Sequence, residues 1–523
     1  MTTPGAPVDV LIAGAGPVGL MLATELALGG ARPVVVEART EAGADPRANG
    51  LVGQVVPMID RRGLYEEMAG SAGPPEPNRA YFFFGGLPLD LSLLDDSPVH
   101  TLPVPQARIV AVLAARAAEL GVTVRWAHTL TGATRDGDGV VAEVRGPDGD
   151  ERIAARYLVG ADGAHSAVRK ASGIGFPGIG LDRMTTFTAH VSAPARLLDP
   201  DTGGLRVPGI GVVRPFLPTR TPCGGVTWAP FPGRPPMIST LEWDLPAADG
   251  PMSHAEMLAS LRRVLGGDLP LGPPDDAAGA GPHLLRRLDG GQIRVADRFR
   301  DGRLFLVGDA AHVYAAGGGP GLNLGLQDAV NLGWKLAAVL RGTAPDAVLD
   351  TYSTERQAAA HRVLTAARAQ AALLAPGEDV DGLRTLLGEI LADAPAVARL
   401  AAVVAGTDVR YPVEDDAHPR VGYFAPDRTV STADGPVRLA EAARSGRWVL
   451  VDPTVDGRLA AVATTVPDPP VVLRGTSNGD RPAAVLVRPD GYLVWASDAS
   501  EPGDAEADAV RRCLALWSHP VRV

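Results

Sequence analysis

Three glycines near the N-terminus stand at the spacing that lets a backbone approach a phosphate. They belong to the segment 14–19, which reads Gly14, Ala15, Gly16, Pro17, Val18, Gly19. The first glycine allows a tight turn, the second lets the backbone approach a pyrophosphate, and the third permits close packing of a helix on a strand. Backbone N–H groups at the start of the next helix would then face the anion.

The elements around this segment have the order that such a site requires. Residues 8–13 are a β-branched apolar run, residues 17–28 carry good helix formers before a Gly-Gly pair, and residues 34–37 form a second apolar run. Glu37 ends that run, where its carboxylate can accept hydrogen bonds from an adenosine ribose. A 2′-phosphate would be repelled there, which favours bound FAD or NAD over NADP. A glycine-rich turn without a ligand is the alternative.

A second match to the same pattern lacks this context. Residues 173–178 also read GxGxxG, but no strand precedes them and Pro177 stands where the helix should start. We predict a loop there.

Other suggestive side chains have plainer interpretations. His312 lies close to Asp309 and is a candidate base, although a structural role is favoured. Asp162, His165 and Ser166 lie within a few residues of each other, which gives no nucleophilic triad geometry. The histidines and the two cysteines show no metal-ligand spacing, so the thiols are expected to be unpaired.

Composition narrows the function classes. The chain has 523 residues, 46% of them hydrophobic, and a net charge of −11. Such a length predicts two large domains or about three smaller ones. The acidic balance gives no electrostatic reason to bind nucleic acid or an anionic membrane. No basic residue precedes the apolar N-terminal run, and no other stretch has membrane-spanning length. We therefore expect a soluble, cytoplasmic protein.

Periodicity and turn residues give a coarse map of the remaining chain. Residues 171–285 have a different sequence pattern from the preceding chain, because short β-like runs alternate there with loops rich in proline and glycine. The predicted helices cover 47–70, 109–120, 253–265, 324–340, 353–374, 380–404 and 505–516, and the predicted strands include 122–126, 140–145, 152–159, 238–243, 303–307, 447–452, 470–473, 484–488 and 492–496.

Two further segments decide between the dinucleotides. The first, residues 157–169, reads YLVGADGAHSAVR. The second begins with GDAAH at 308–312 and continues with GLNLGLQDAVNLGWKL at 321–336. With the glycine segment, they resemble the three hallmarks of the group A flavoprotein monooxygenases, which have the para-hydroxybenzoate hydroxylase-like fold. The closest resemblance is to actinobacterial hydroxylases of aromatic polyketides, of the angucycline and anthracycline type.

The resemblance implies an α/β architecture in three parts. A Rossmann-like FAD-binding domain would comprise residues 1–72, 100–170 and 286–405. An inserted, mainly antiparallel sheet domain for the substrate would comprise residues 73–99 and 171–285. Residues 410–523 resemble a C-terminal thioredoxin-like domain, most clearly over 484–491, but they contain no CxxC and so cannot perform dithiol chemistry.

The resemblance also implies cofactor roles for particular residues, and it links Gly160, Asp162 and Arg169 to FAD and NADPH binding. Pro320 to Asn323 would form a flavin-facing loop at a helix N-terminus, whose partial positive charge suits a reduced flavin. No catalytic residue is assigned. The candidate cofactor-binding residues are Gly14, Ala15, Gly16, Pro17, Val18, Gly19, Glu37, Ala38, Arg47, Gln106, Asp162, Asp309, Pro320, Gly321, Leu322 and Asn323.

The implied reaction is hydroxylation of a polycyclic aromatic polyketide in antibiotic or pigment biosynthesis. FAD would be reduced by NADPH or NADH, and O₂ would form a C4a-hydroperoxyflavin that hydroxylates a phenolic ring. The protein would act as a monomer or a homodimer. The candidate substrate-binding residues are Phe82, Phe84, Arg214, Phe216 and Trp228.

Three departures from the family pattern leave the reaction type open. Gln54, Val55 and Pro57 replace an arginine and a Thr-x-Glu, Ala315 and Ala316 replace prolines, and Pro320 replaces a common glutamine. A Baeyer–Villiger or ring-rearranging monooxygenase is therefore a rival. A flavin-containing protein that sequesters an aromatic antibiotic is a second rival from another class.

Overall fold

A computed structural model describes residues 7–43, 49–137, 139–231, 233–246, 248–274, 283–315, 319–477 and 481–518. The strands are β1 (Val8–Ala13), β2 (Pro33–Glu37), β3 (Leu51–Val52), β4 (Tyr81–Phe84), β5 (Leu87–Asp90), β6 (Thr101–Leu102), β7 (Thr123–Trp126), β8 (Thr129–Asp136), β9 (Gly139–Gly146), β10 (Gly149–Gly160), β11 (Gly178–Gly180), β12 (Met184–His190), β13 (Leu205–Val207), β14 (Gly211–Val213), β15 (Thr219–Thr221), β16 (Gly224–Ala229), β17 (Met237–Trp243), β18 (Leu285–Asp289), β19 (Gln292–Val295), β20 (Arg300–Asp301), β21 (Leu304–Leu306), β22 (His312–Val313), β23 (Thr429–Thr432), β24 (Gly435–Arg438), β25 (Val449–Asp452), β26 (Val471–Thr476), β27 (Ala484–Val487) and β28 (Leu493–Ser497). The helices are α1 (Pro17–Leu28), α2 (Val55–Asp60), α3 (Tyr65–Ala69), α4 (Gln106–Glu119), α5 (Ala167–Ala171), α6 (His254–Leu265), α7 (Pro320–Leu340), α8 (Asp350–Leu374), α9 (Glu378–Ile390), α10 (Ala394–Ala405), α11 (Leu439–Ala442), α12 (Arg458–Ala463) and α13 (Asp504–Trp517).

The first sheet has a parallel core in the order β21-β10-β1-β2-β7. The central strands β1 and β2 and the end of β10 are mainly apolar, as expected for a parallel sheet with helices on its faces. Antiparallel strands β9 and β8 extend β10 on one side, and β20 pairs antiparallel with β21. Helices α4 and α7 both pack against α1. This is the predicted Rossmann-like arrangement.

The middle sheet is antiparallel, in the order β15-β16-β17-β12-β18. Helix α6 covers one face, where Met257 and Leu261 join a buried apolar cluster with Phe187 and Ile238. Side chains alternate between the faces of a strand, so Thr186 and Thr188 point to the face opposite Phe187. We call that opposite face the open face.

The C-terminal sheet has the order β24-β23-β26-β25-β27-β28 and carries helices α12 and α13, in agreement with the predicted thioredoxin-like architecture. It is joined to the first sheet's helices by apolar packing and by buried polar contacts. Trp334 of α7 packs against Trp448 and Trp517. Arg61 donates to the Gly491 carbonyl at 3.2 Å, and Arg62 donates to the Pro489 carbonyl at 2.7 Å.

Several predicted boundaries were wrong, and glycine or proline geometry explains them. Residues 47 and 48 of the helix expected over 47–70 lie outside the described residues. The remaining range contains β3, α2 and α3 instead of one helix, because Gly53 and Gly63 take positive φ angles of 85° and 68°. The helix expected over 380–404 is divided into α9 and α10, since Asp393 is extended and Pro395 occupies the first turn of α10. Helix α7 begins at Pro320, four residues before the predicted start.

Residues 173–177 of the second glycine match have the predicted loop conformation, and Gly178 begins β11. No helix within the described ranges has both the length and the apolar character needed to cross a membrane.

Candidate active site

The three sequence hallmarks converge at the carboxyl ends of β1 and β10. The Ala161 N–H donates to the Ala13 carbonyl at 2.9 Å, and the Val307 N–H donates to the Gly160 carbonyl at 3.0 Å. Val18 lies so close to Gly308 and Gly325 that a Cβ on either glycine would come within 3.1 Å of its methyl group. The glycine turn, the 157–169 segment and the start of α7 therefore surround one place in the fold.

The glycines of the turn differ in what surrounds them. Gly14 has φ +106°, and a Cβ there would lie 2.4 Å from the Ala161 carbonyl oxygen. A Cβ on Gly19 would lie 2.0 Å from the Gly14 carbonyl oxygen. A Cβ on Gly16 would meet nothing within 4 Å, and no side chain caps α1. This open cradle at a helix N-terminus fits a pyrophosphate.

Glu37 is held where the sequence placed it, at the end of β2. Its Oε2 accepts from the Ala15 N–H at 2.7 Å, and its Oε1 accepts from the Arg39 N–H at 3.1 Å. Each carboxylate oxygen keeps a second lone pair for a hydroxyl donor. Ala38 follows, exposed, beside it. The half-buried carboxylate thus fits a ribose at the edge of the glycine turn.

Asp162 follows β10 and faces the same region. Its Oδ2 accepts from the N–H groups of Ala167 and Val168 at 2.7 and 3.2 Å, whereas its Oδ1 is buried and has no partner. Arg169 donates to the Ala310 carbonyl at 2.9 Å and so ties α5 to the turn at 308–310. A buried acceptor oxygen without a donor is expected where a ligand supplies the donor.

Asp309 and the first turn of α7 are brought together. A Cβ on Gly321 would lie 3.6 Å from Asp309 Oδ1. Gly319, with φ +66°, precedes the helix, and Pro320 starts it without a side-chain cap. Asn323 accepts from the Val52 N–H at 3.1 Å and thereby fixes β3 beside the helix start. The uncapped helix end provides partial positive charge, which suits an anionic ring.

Gln106 and Arg47 were predicted to approach the same part of a cofactor. Gln106 is half-buried at the first position of α4. The Val104 N–H donates to the Asn49 carbonyl at 3.2 Å, so the segment before α4 lies beside the segment that starts at Asn49. Arg47 and Ala316 lie outside the described residues.

His312 has a structural environment, as its sequence context favoured. It is fully buried, with Nε2 2.6 Å from Asp328 Oδ2. Asp328 also accepts from Arg356 at 2.7 Å and from the Gly308 N–H at 3.2 Å. Burial acts to raise the pKa of Asp328, but His312 and Arg356 together hold it below the usual value. This cluster fixes the turn at 308–310 to α7 and α8.

The five candidate substrate residues separate into two groups. Trp228 and Phe84 are packed in the interior: Trp228 is 1% exposed and donates to the Gly203 carbonyl, and Phe84 lies in a cluster with Leu373 and Val397. Arg214 lies 4.0 Å over the Tyr81 ring. Phe82 is half-buried, and Phe216 is 40% exposed in edge contact with Phe231.

Sequence reasoning missed the open face of the middle sheet. Register places Thr188 opposite Ser239, with their hydroxyl oxygens 3.1 Å apart, and His190 opposite Met237. Asn49 donates to the Met237 sulfur at 3.9 Å, and Ala315 packs against Gly291 near Met184. This face therefore borders the segments that precede α7 and follow Arg47. Strand alternation was visible, but the covered face depends on α6 and on cross-strand register.

Gln54, one of the departures from the family pattern, is hydrogen-bonded to Tyr492 beside the C-terminal sheet. Gln54 Nε2 lies 2.7 Å from Gln327 Oε1 and 2.8 Å from Tyr492 Oη. Gln327 in turn donates to the Asn323 carbonyl at 3.1 Å. Tyr492 stacks on Tyr411, whose hydroxyl accepts from Arg356 at 2.9 Å. No motif in the sequence indicated this connection, because Gln54 lies 273 residues from Gln327 and 438 residues from Tyr492.

Comparison with known proteins agrees with this geometry. Residues 7–205 and 280–367 match the family described as FAD binding domain, and residues 418–518 match the family described as aromatic-ring hydroxylase, C-terminal. The chain belongs to the FAD-binding-domain family and is an FAD-dependent monooxygenase. NAD(P)H and O₂ are the co-substrates typical of this class.

Three relatives illustrate the likeness. The chain is 38% identical over 515 residues to 12-dehydrotetracycline 5-monooxygenase/anhydrotetracycline 6-monooxygenase of Streptomyces rimosus, covering 96% of this chain and 98% of the relative. A solved anhydrotetracycline hydroxylase from Streptomyces rimosus is 36% identical, with a TM-score of 0.83 and coverage of 98% and 100%. A solved aromatic hydroxylase from angucycline biosynthesis is 33% identical, with a TM-score of 0.82 and coverage of 99% and 100%.

Proposed function

We propose that this protein hydroxylates a polycyclic aromatic polyketide in the biosynthesis of a secondary metabolite. The observation that carries the proposal is the open face of the middle sheet, whose mixed hydroxyl and apolar side chains border the start of α7. Thr188 and Ser239 supply hydroxyls there, and Met237 and Leu241 supply apolar surface. A polycyclic phenol needs this combination of flat apolar contact and a few polar groups. The names of the tetracycline and angucycline relatives support the same substrate class.

The residues that would hold FAD follow from the cradle described above. The turn from Gly14 to Gly19 would take the pyrophosphate, Glu37 and Ala38 the adenosine ribose, and Asp309 the ribityl chain. Arg47 and Gln106 would approach the ribityl–phosphate region, and Asp162 would contribute its unpaired Oδ1. Residues 320–323 would lie against the isoalloxazine ring. When bound, FAD supplies hydride acceptance from NAD(P)H and activation of O₂.

The chain's own residues contribute binding, orientation and electrostatics. The N-terminus of α7 would stabilise negative charge on the pyrimidine side of the ring. Thr188 and Ser239 would orient a phenolic oxygen by hydrogen bonding, and the apolar groups beside them would exclude water. Phe82, Arg214 and Phe216 remain candidates for the mouth of this pocket. Phe84 and Trp228 are proposed only as support behind it, because both are packed in the interior.

The proposed division of the chain follows the sheets. Residues 1–72, 100–170 and 286–405 would form the FAD-binding domain, residues 73–99 and 171–285 the substrate domain, and residues 410–523 the C-terminal domain. A cytoplasmic location fits Cys223 and Cys513, which are not in a disulfide. The protein would act as a monomer or a homodimer on this small molecule, without nucleic acid or membrane partners.

Turnover with ¹⁸O₂ tests the proposal. The FAD-loaded enzyme is given NADPH and a panel of polycyclic phenolic polyketides, and products are analysed by mass and fragmentation. One labelled oxygen on an intact ring system is expected, with the second oxygen atom released as water. A labelled lactone or an opened ring would replace hydroxylation by the Baeyer–Villiger or rearrangement alternative. A tight ligand in whose presence NADPH never bleaches the flavin would instead indicate sequestration.

A further inference from the structure

The first two turns of α7 are held to the chain beside β3 by two hydrogen bonds on one face of the helix. The Val52 N–H donates to Asn323 Oδ1 at 3.1 Å, and Gln54 Nε2 donates to Gln327 Oε1 at 2.7 Å. Asn323 and Gln327 are four residues apart and so lie on the same helix face. Asn323 also donates to the Gly319 carbonyl at 3.2 Å, which fixes the residue that precedes the helix. The start of α7 is therefore fixed from the side of β3.

The C-terminal part of the chain reaches this contact through the hydroxyl of Tyr492. Gln54 Nε2 also donates to Tyr492 Oη at 2.8 Å. Gln327 donates its own Nε2 to the Asn323 carbonyl at 3.1 Å, so its Oε1 faces Gln54, whose amide presents its NH₂ group. Gln54 and Tyr492 are each only 3% exposed, and the Tyr492 ring stacks on Tyr411 with the ring centroids 3.8 Å apart. The Tyr492 hydroxyl thus fixes the amide that holds α7.

The position of this helix end decides how strongly it acts on a bound ring. The free N–H groups of the first turn carry the partial positive charge of a helix, and the effect of that charge falls off within the turn. Gly319 takes a φ of +66° before Pro320, and no side chain caps the helix. Residues 317–319 are glycines, so they have no side chains with which to anchor the helix start. Side-chain anchoring therefore comes from farther along α7, at Asn323 and Gln327.

We propose that Gln54 and Tyr492 are positioning residues for the flavin chemistry. They hold the N-terminus of α7 against the isoalloxazine ring, where its partial charge stabilises the negative charge of the reduced ring. Tyr492 acts through Gln54, and Gln54 acts through Gln327. The inference rests on the proposed placement of residues 320–323 beside the ring. It gives the C-terminal part a role in the flavin chemistry in addition to its packing.

The midpoint reduction potential of FAD in the full-length, FAD-loaded enzyme tests this role. The potential is measured by equilibration with a reference dye, and it depends on the charge that the protein stabilises on the reduced ring. Tyr492→Phe removes the hydroxyl and keeps the ring that stacks on Tyr411. We expect the ratio of reduced to oxidised flavin at a fixed potential to fall about threefold, which is part of the effect of one hydrogen bond. The midpoint potential should therefore fall by about 14 mV, since a tenfold change equals about 30 mV for a two-electron couple.

Gln54→Leu removes both donated hydrogen bonds and should lower the same ratio about fivefold. Tyr423→Phe is the matched control, because it also removes a tyrosine hydroxyl from the C-terminal part, where the Tyr423 ring contacts Arg410. Val510→Ala is the control for stability, since Val510 is buried in the apolar cluster that packs α13 onto the C-terminal sheet. Denaturant unfolding should show a loss of stability in Val510→Ala, and both controls should keep the wild-type potential.

The inference is overturned if Tyr492→Phe keeps the wild-type potential, or if either control shifts the potential as far as Tyr492→Phe does. Should Gln54→Leu fold poorly, Tyr492→Phe decides. The measurement needs neither an aromatic substrate nor turnover, so its result is independent of the ¹⁸O₂ experiment. An enzyme that hydroxylates no aromatic compound would refute the proposed function without changing the outcome for Gln54 and Tyr492.

Discussion

The first sheet and the middle sheet differ in how their chemistry is encoded. In the first sheet, Gly14 and Gly19 have no room for a Cβ, so the backbone path itself would form the proposed cofactor cradle. In the middle sheet, the proposed substrate contacts are side chains such as Thr188 and Ser239, which lie on one face only. A residue one position away, such as Phe187, belongs to the opposite, packed face.

This difference explains why a sequence motif predicts the proposed cofactor site, whereas no motif predicts the proposed substrate site. A backbone constraint selects a single residue type at a fixed spacing, and such a pattern survives without knowledge of the fold. A sheet face is selected by alternation, and alternation alone does not say which face a helix covers. The four predictions that follow test this contrast, beginning with the largest effect.

Two glycine variants should separate folding from cofactor binding. Gly19→Val is expected to abolish accumulation of folded protein, because its Cβ would lie 2.0 Å from a backbone oxygen. Gly16→Trp should fold, since a Cβ there meets nothing within 4 Å, but it should retain less than about a tenth of the wild-type FAD. Circular dichroism and flavin absorbance of the purified variants measure both outcomes. Stoichiometric FAD in folded Gly16→Trp would show that the site is misplaced.

Neutralising a buried acid should lower the free energy of unfolding more in the FAD-binding part than in the middle sheet. Asp328 and Arg356 are both fully buried, whereas Glu242 of the middle sheet pairs with Arg263, whose side chain is 45% exposed. Asp328→Asn should lower the free energy of unfolding by about 3–5 kcal/mol, because it leaves a buried arginine charge uncompensated. Glu242→Gln should lower it by only about 1–2 kcal/mol, since water solvates Arg263. Denaturant unfolding at neutral pH provides the comparison, and equal losses would contradict it.

The two faces of the middle sheet can be distinguished by one variant on each. Thr188→Val keeps the shape and removes the hydroxyl on the open face, so KM for the aromatic substrate should rise about fivefold with little change in stability. Trp228→Phe, on the packed face, should lower the free energy of unfolding by about 2 kcal/mol and leave KM unchanged. Steady-state kinetics and urea unfolding of both variants test the assignment. The opposite pattern would mean that the faces are exchanged.

The fourth prediction concerns Lys335, a buried lysine for which residues 171–285 contain no lysine counterpart. Burial outweighs the attraction of Glu355 and lowers the pKa of Lys335 from 10.5 to about 8. The unfolded chain therefore binds more protons between about pH 8 and 10, and stability should rise with pH there, by at most about 1.4 kcal/mol per pH unit. Lys335→Met should remove this rise. Unfolding free energies at several pH values across the window give the slope.

Much of the cofactor part was predictable from the sequence, for physical reasons that particular residues illustrate. Helix α1 was bounded correctly because Pro17 fits a first helical position and Gly29 follows its end. The start of α7 was missed because three of the four residues before Pro320 are glycines, which hide the helical pattern. The role of Asn323 in holding β3 could not be predicted, since its partner Val52 lies 271 residues away.

The candidate substrate site was less predictable. Trp228 and Phe84 were selected as large aromatic residues, but size also makes a side chain suitable for a core. No sequence pattern distinguishes Thr188 and Ser239 from other residues, because small hydroxyl residues are common on any protein surface. The pairing that makes them one polar patch arises only from the register between β12 and β17.

The contacts of Arg61 and Arg62 with the C-terminal hairpin have a consequence for protein synthesis. Arg62 and its acceptor Pro489 are 427 residues apart. At 5–20 residues per second, a ribosome needs about 20 to 85 seconds to produce that partner after Arg62 has been made. Throughout that interval the nascent chain holds two arginines at positions that its final fold buries. These contacts can therefore form only after residues 489–491 have been synthesised, so burial of the two guanidinium groups is a late event in the folding of this chain.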